Sequence, residues 1–155
     1  MENNLEENIG AVSHVIDKYV VTNQLLGSGT YAKVFKGHLK DKPTQTIAVK
    51  EIAILSKANN KKFHTNLNRE IEILQKLNHP AIIKIYDVVR YPEKLFIFLE
   101  LCENGDLKQC LQKKKFFTEQ EVLNYMSQIV SAFRELYANN IIHRERAGPL
   151  AARFC

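Results

Sequence analysis

Between residues 19 and 101 the sequence offers five short β-prone segments and one helical stretch, and the helix falls after the third segment. Tyr19-Val20-Val21-Thr22 and Val34-Phe35-Lys36-Gly37 flank the glycine-bearing Gly27-Ser28-Gly29, which suggests a hairpin with an unusually long turn. Thr46-Ile47-Ala48-Val49-Lys50 is a third strand, set off by the turn signal Asp41-Lys42-Pro43. Leu67, Ile71, Leu74 and Leu77 recur at helical spacing, so a helix is expected from about Asn66 to Leu77, ended by Asn78-His79-Pro80. Ile82–Val89 and Leu95–Leu101 read as two further strands around a Tyr91-Pro92-Glu93-Lys94 turn. This order does not alternate as βαβ units. An α+β fold is expected, a five-stranded antiparallel sheet with one packed helix.

Beyond residue 105 the chain turns helical. Asp106-Leu107-Lys108-Gln109 and Thr118-Glu119-Gln120-Glu121 both have capping-box form. After the second, Val122, Tyr125, Met126, Ile129, Val130, Phe133, Leu136 and Tyr137 make a wide apolar stripe that must pack on something. Residues 1–17 read as a polar leader with room for one short helix.

The chain has 155 residues, 45% hydrophobic and 25% charged, which suits a globular protein and excludes a disordered tail or a fibre. No apolar run approaches the roughly 20 residues of a membrane span, and the N-terminus lacks the pattern of a secretory signal. Cys102, Cys110 and Cys155 show no CxxC spacing, so neither a disulfide framework nor a zinc site follows, and a reducing, cytoplasmic compartment is the default. The net charge is +5, with Glu2, Glu6, Glu7 and Asp17 unopposed in the leader, so the remainder carries +9. Such a balance could suit nucleic acid, an acidic partner or a membrane surface. The longest basic run is only Lys113-Lys114-Lys115 and no aromatic stripe interleaves it, so a solvated basic surface without nucleic acid is the better reading.

Gly27-Ser28-Gly29-Thr30-Tyr31-Ala32-Lys33-Val34 is close to G-x-G-x-x-G-x-V, with Ala32 at the third glycine. Glycines let a turn bring backbone N–H groups against phosphate oxygens. Alone, the motif describes a hairpin turn equally well. Lys50 on the third strand could reach polyphosphate as a point charge, and Glu70 on the helix could pair with it. The bland reading of that pair is a surface ion pair.

With these residues in place, the sequence resembles the eukaryotic protein kinase family of serine/threonine type. The matching pieces are the Gly27–Val34 loop, Ile47-Ala48-Val49-Lys50, Glu70 in Arg69-Glu70-Ile71-Glu72, and Leu77-Asn78-His79-Pro80-Ala81-Ile82-Ile83. A hinge-like Phe96-Ile97-Phe98-Leu99-Glu100-Leu101-Cys102-Glu103-Asn104-Gly105-Asp106-Leu107 and Ile141-Ile142-His143-Arg144 follow in order. Phe35-Lys36-Gly37, Ala32, Tyr86-Asp87-Val88 and the hinge are most like the autophagy-initiating kinases, although calcium-dependent and mitotic kinases share many of these choices.

The resemblance implies a kinase N-lobe over 18–101, a hinge and the start of a C-lobe over 102–144, and ATP as the nucleotide. It implies that Leu26, Val34 and Ala48 line the adenine slot with Leu99 at its rear, and that Gly27, Gly29, Ala32 and Lys50 face the phosphates. Glu100 and Cys102 would bond the adenine edge through their backbones, and Asp106 would accept from a ribose hydroxyl. Against this, Val34 and Ala48 could be plain core, and Asp106 only a helix cap. His79 reads as structural, satisfying the turn after the helix, and His14, His38 and His64 as surface residues.

The family pattern fails after Arg144. Phosphoryl transfer needs an aspartate at the substrate hydroxyl and Mg²⁺ held by an Asn and a D-F-G Asp. Here Glu145 takes the catalytic-base position, Ala147 that of the loop lysine and Leu150 that of the metal-binding Asn, so no metal ligand is assigned. Residues 145–155 contain neither Asn nor Lys, and three of the chain's six arginines fall in the final twelve residues, so this tail reads as aberrant and the chain as a truncated kinase. The expectation is marginal stability, no phosphotransfer by this chain alone, and an exposed Val122–Tyr137 face open to a partner. Three readings stay open: the ATP-binding front half of a kinase acting on protein, a non-catalytic kinase-like binding module, and a basic nucleic-acid binder.

Overall fold

The computed structural model describes residues 11–30, 32–54, 60–103 and 105–141. The chain divides into two compact units: one of residues up to Asn66 with Ile85–Leu101, the other of Leu67–Lys84 with the residues from Cys102 on.

The first unit is built on a sheet of β1 (Val12–Ile16), β2 (Tyr19–Ser28), β3 (Ala32–Leu39), β4 (Thr46–Ala53), β5 (Ile85–Arg90) and β6 (Lys94–Glu100). The strand order is β1-β2-β3-β4-β6-β5, and every neighbouring pair is antiparallel, as expected. The sheet has six strands where the sequence reading expected five. The extra one, β1, lies within the stretch read as a polar leader with room for a short helix. Its Val12, Val15 and Ile16 favour a pleated backbone. Asp17, at φ 53, turns the chain so that Ile16 pairs with Tyr19.

Side chains alternate across β4. Ile47 and Val49 enter a core with Ile16, Tyr19, Val21, Phe96 and Phe98, while Ala48 and Lys50 occupy the opposite face. The Tyr19 ring stacks on Phe98 with centroids 3.9 Å apart and planes 15° from parallel. Since β2 and β6 are separated by two strands in the sheet, this contact requires the sheet to curl upon itself. Lys18 Nζ reaches Asp87 Oδ2 on β5 at 3.2 Å, and the Tyr19 hydroxyl donates to the same oxygen at 3.5 Å.

One histidine expectation, that of His38 as a surface residue, is corrected here. His38 is buried, only 8% exposed, and its Nδ1 lies 3.0 Å from the Leu39 carbonyl oxygen. His14 is half-buried with its ring edge on Phe96, and His64 is half-buried beside Phe63. The strands on either side of His38 cover it, which metal-ligand spacing cannot reveal.

The second unit holds α1 (Lys61–Lys76) from Leu67 on, α2 (Leu107–Lys114) and α3 (Glu119–Ala138). The helix α1 begins five residues before the expected Asn66 because Asn60 Oδ1 accepts from the Phe63 N–H at 2.9 Å, an N-cap. Its C-terminal turn contributes Ile73 and Leu74 to a core of Leu77, Ala81, Ile82, Ala132 and Leu136. His79 is structural, as expected. The Ala81 N–H donates to its Nδ1 at 3.1 Å, so the proton sits on Nε2, 2.9 Å from Ser131 Oγ on α3.

Both expected capping boxes form, Asp106 with Gln109 and Thr118 with Glu121. Lys114 also bonds Glu121 across the α2–α3 connection. The Lys114 ammonium, then the Thr118 backbone N–H and hydroxyl, hold the Glu121 carboxyl down to about 2. A depressed folded pKa stabilises the native state above the unfolded carboxylate value, and this contribution is lost as pH falls from there through about 2. A carbon-detected NMR titration should show Glu121 titrating near 2, and Lys114→Met should move its midpoint upward. An unmoved midpoint would contradict the assignment.

Candidate functional site

Strand register in the first unit decides which site residues share a face. Gly27 pairs with Val34 across β2 and β3. Val34 and Lys36 pair with Lys50 and Ala48 across β3 and β4. Ala48 and Lys50 pair with Leu99 and Ile97 across β4 and β6. Directly paired residues project to the same side of a sheet. Gly27, Val34, Ala48, Lys50, Leu99 and Ile97 therefore form one continuous patch, opposite the curled core. Ala48 is buried, whereas Val34, Lys50 and Leu99 are half-buried, and Lys36, paired with Ala48, lies on the same face, which leaves a shallow apolar surface flanked by two lysines.

Between β2 and β3 the Gly29 N–H donates to the Ala32 carbonyl oxygen at 2.8 Å. Ala32 opens β3 opposite Ile52. Neither Gly27 nor Gly29 adopts the left-handed region, and a Cβ at Gly27 would meet nothing within 4 Å. Among the described residues nothing demands glycine at Gly27. Leu26, next to it on β2, is 43% exposed, an apolar side chain at the rim.

Glu100 ends β6 and pairs with Ile47. Cys102 is half-buried, and its carbonyl accepts from the Gly105 N–H at 3.4 Å. By contrast Cys110 is buried and disulfide-bonded, which cysteine spacing gave no reason to expect. Asp106 is the N-cap of α2: its Oδ1 accepts from the Gln109 N–H at 2.7 Å, and its own N–H donates to Gln109 Oε1 at 3.4 Å. Glu70 is exposed on α1 in the second unit. Glu145, Ala147 and Leu150 lie outside the described residues. Among the described residues no group of three or more His, Cys, Asp or Glu could hold a metal, and no helix is long and apolar enough to cross a membrane.

Ile97 was not anticipated. Its register opposite Lys50 sets a buried β-branched side chain beside the lysine on one flank, with Val34 on the other. Val34 and Ile97 thus offer apolar surface on both sides that the lysine stem can cover. A run such as Phe96-Ile97-Phe98 shows a buried strand but not which residue stands opposite a functional one.

A curled antiparallel sheet with an apolar patch and a strand lysine on one face is consistent with the small lobe of a protein kinase. The protein kinase domain family model matches residues 20–145, and the chain belongs to that family. It is 38% identical to serine/threonine-protein kinase ATG1b of Arabidopsis thaliana over 136 residues, covering 88% of this chain and 19% of the relative. Identity is 34% to serine/threonine-protein kinase ULK3 of Homo sapiens over 128 residues, 83% of this chain and 26% of the relative. Calcium-dependent protein kinase 5 of Plasmodium falciparum is 38% identical over 131 residues, 83% of this chain and 22% of the relative. The chain thus spans about a fifth to a quarter of the length of these relatives. The first two agree with the likeness to autophagy-type kinases read from Phe35-Lys36-Gly37 and the hinge, and the third with the overlap noted for calcium-dependent kinases.

Proposed function

We propose that this chain binds ATP on the patch formed by Gly27, Val34, Ala48, Lys50 and Leu99, as the nucleotide-binding part of a cytoplasmic serine/threonine protein kinase. The observation that carries the reading is the open space at Gly27 directly above the Val34–Lys50 register. Backbone N–H groups there can approach phosphate oxygens without an intervening side chain. Leu26, Val34, Ala48 and Leu99 supply apolar surface for the adenine ring. Glu100 meets its edge through its backbone. Lys50 places a point charge at the phosphates.

Bound ATP would supply the transferable γ-phosphoryl group, and its acceptor would be a protein Ser or Thr hydroxyl. The residues after His143 do not fit the metal that such transfer uses. Leu150 cannot ligate Mg²⁺, and the additional methylene of Glu145 displaces the carboxylate from the base position. The proposed outcome is nucleotide binding without turnover by this chain alone.

Isothermal titration of the 155-residue chain with ATP should give saturable binding, weakened at least about tenfold by Lys50→Met, since one charge-assisted phosphate contact is lost. Radiolabelled phosphate transfer to a generic protein substrate should be absent. A folded chain that does not bind ATP would overturn the site. Transfer abolished by Lys50→Met would overturn the claim of inactivity.

A further inference from the structure

On β5, Ile85 pairs with Leu99 but Asp87 pairs with Phe98, so the register slips by one residue between them. Residues two apart on a regular strand share a face, and Ile85 and Asp87 would then both join Leu99 on the patch side. The bulge instead turns Asp87 to the core side with Phe98 and leaves Ile85 beside Leu99. There Asp87 meets the far end of the sheet. Its Oδ2 lies 3.2 Å from the Lys18 ammonium and accepts from the Tyr19 hydroxyl at 3.5 Å, while its Oδ1 accepts from the Val88 N–H at 2.9 Å. Lys18 Nζ also stands 5.2 Å from the centre of the Tyr19 ring, which stacks on Phe98. The edge strand β5 is thereby joined to the β1–β2 hairpin at the other end of the strand order.

We infer that Asp87 is a positioning residue for the nucleotide patch, a clasp that holds the curl of the sheet and thereby the spacing of the side chains on its opposite face. Core and patch side chains alternate on the same backbones. Phe98 stands between Ile97 and Leu99 on β6, and it pairs with Val49, which stands between Ala48 and Lys50 on β4. A change in how Phe98 meets Tyr19 therefore carries the patch residues with it. Binding groups must be held to within about 0.5 Å of their productive placement, so such a change is felt by a ligand. The ion pair itself adds little stability, because 53% of the Lys18 side chain and 34% of the Asp87 side chain remain exposed. Its role is geometric. The effect on ATP rests on the patch being the nucleotide site, whereas the effect on the patch itself does not.

Asp87→Ala in the 155-residue chain should shift the backbone amide resonances of Val34, Ala48 and Lys50 with no nucleotide present. These residues lie on β3 and β4, two and three strands from β5, beyond the reach of a purely local change. The same variant should bind ATP about fivefold more weakly, the low end of coupling between distant sites. Tyr19→Phe removes only the hydroxyl and keeps the ring on Phe98, and should do the same in smaller measure. Adding Lys18→Met to Asp87→Ala should weaken ATP binding no further, since the lysine acts through that carboxylate. Undisturbed patch resonances in Asp87→Ala, or in Tyr19→Phe should the alanine variant not fold, would overturn the clasp. So would an ATP affinity equal to the parent's, or a further loss on adding Lys18→Met. A parent chain that binds no ATP would overturn the nucleotide reading alone, and the amide shifts would still decide for or against the clasp.

Discussion

Truncating Phe98 to alanine should cost about 3–5 kcal/mol of folding free energy. The ring is fully buried and stacks on Tyr19, with Val21, Ile47 and Val49 equally inaccessible around it. It is also the residue through which the curled sheet meets itself, because β6 and β2 touch there without being neighbours in the strand order. Removing it leaves a cavity that strands held by ladder hydrogen bonds cannot collapse to fill. Domains of this size have only about 5–15 kcal/mol in total, so a large share of the margin would go. Urea denaturation followed by far-ultraviolet circular dichroism measures the loss. A change below about 1 kcal/mol would mean that the core is not closed around this ring.

Two glycines that look alike in the sequence should behave in opposite ways. A Cβ at Gly37 would lie 2.6 Å from the Val20 carbonyl oxygen and 3.0 Å from Val49 Cγ2. The first contact is with backbone in the β2–β3 pairing and cannot be relieved by a rotamer change. Gly37→Val should therefore destabilise by about 3 kcal/mol or more, beyond the usual cost of overpacking, because a strand must move. Gly27→Val should leave stability within about 0.5 kcal/mol, since its Cβ enters open space. It should nonetheless abolish most ATP affinity, the side chain standing where phosphate approaches. The pair of variants separates fold from site. Equal destabilisation by both, or undiminished ATP binding by Gly27→Val, would contradict this division.

Much of this architecture was legible from residue types. The five expected strands and three helices occur, and both capping boxes form from Asp106–Gln109 and Thr118–Glu121. These features are local: a cap or a period of alternation is complete within a few residues. The strand β1 was missed because Glu-rich neighbours mask the β-branched run Val12–Ile16, and its turn depends on Asp17 adopting a left-handed backbone. His38 was misread as exposed for a related reason. Its burial is set by partner strands carrying Val20 and Thr46, neither adjacent to it in the chain.

The candidate site divides in the same way. Gly27, Gly29, Val34, Ala48 and Lys50 could be chosen from the sequence because their types and spacing already suit a phosphate-facing turn and an apolar slot. Residue spacing alone could not choose between core and site for Val34 and Ala48. Register shows that both lie with Lys50 on the face opposite the Tyr19–Phe98 core, and that Ile97 joins them there. The sequence by itself therefore determined the elements, their caps and the chemistry available to them, since those depend on neighbours along the chain. Only the tertiary structure decided which glycine is wedged against a backbone and which stands open, and which half of the apolar arc on α3 enters the core. Those outcomes depend on distances between strands and helices far apart in sequence, where a contact of 2.6 Å or open space of 4 Å reverses the meaning of the same residue.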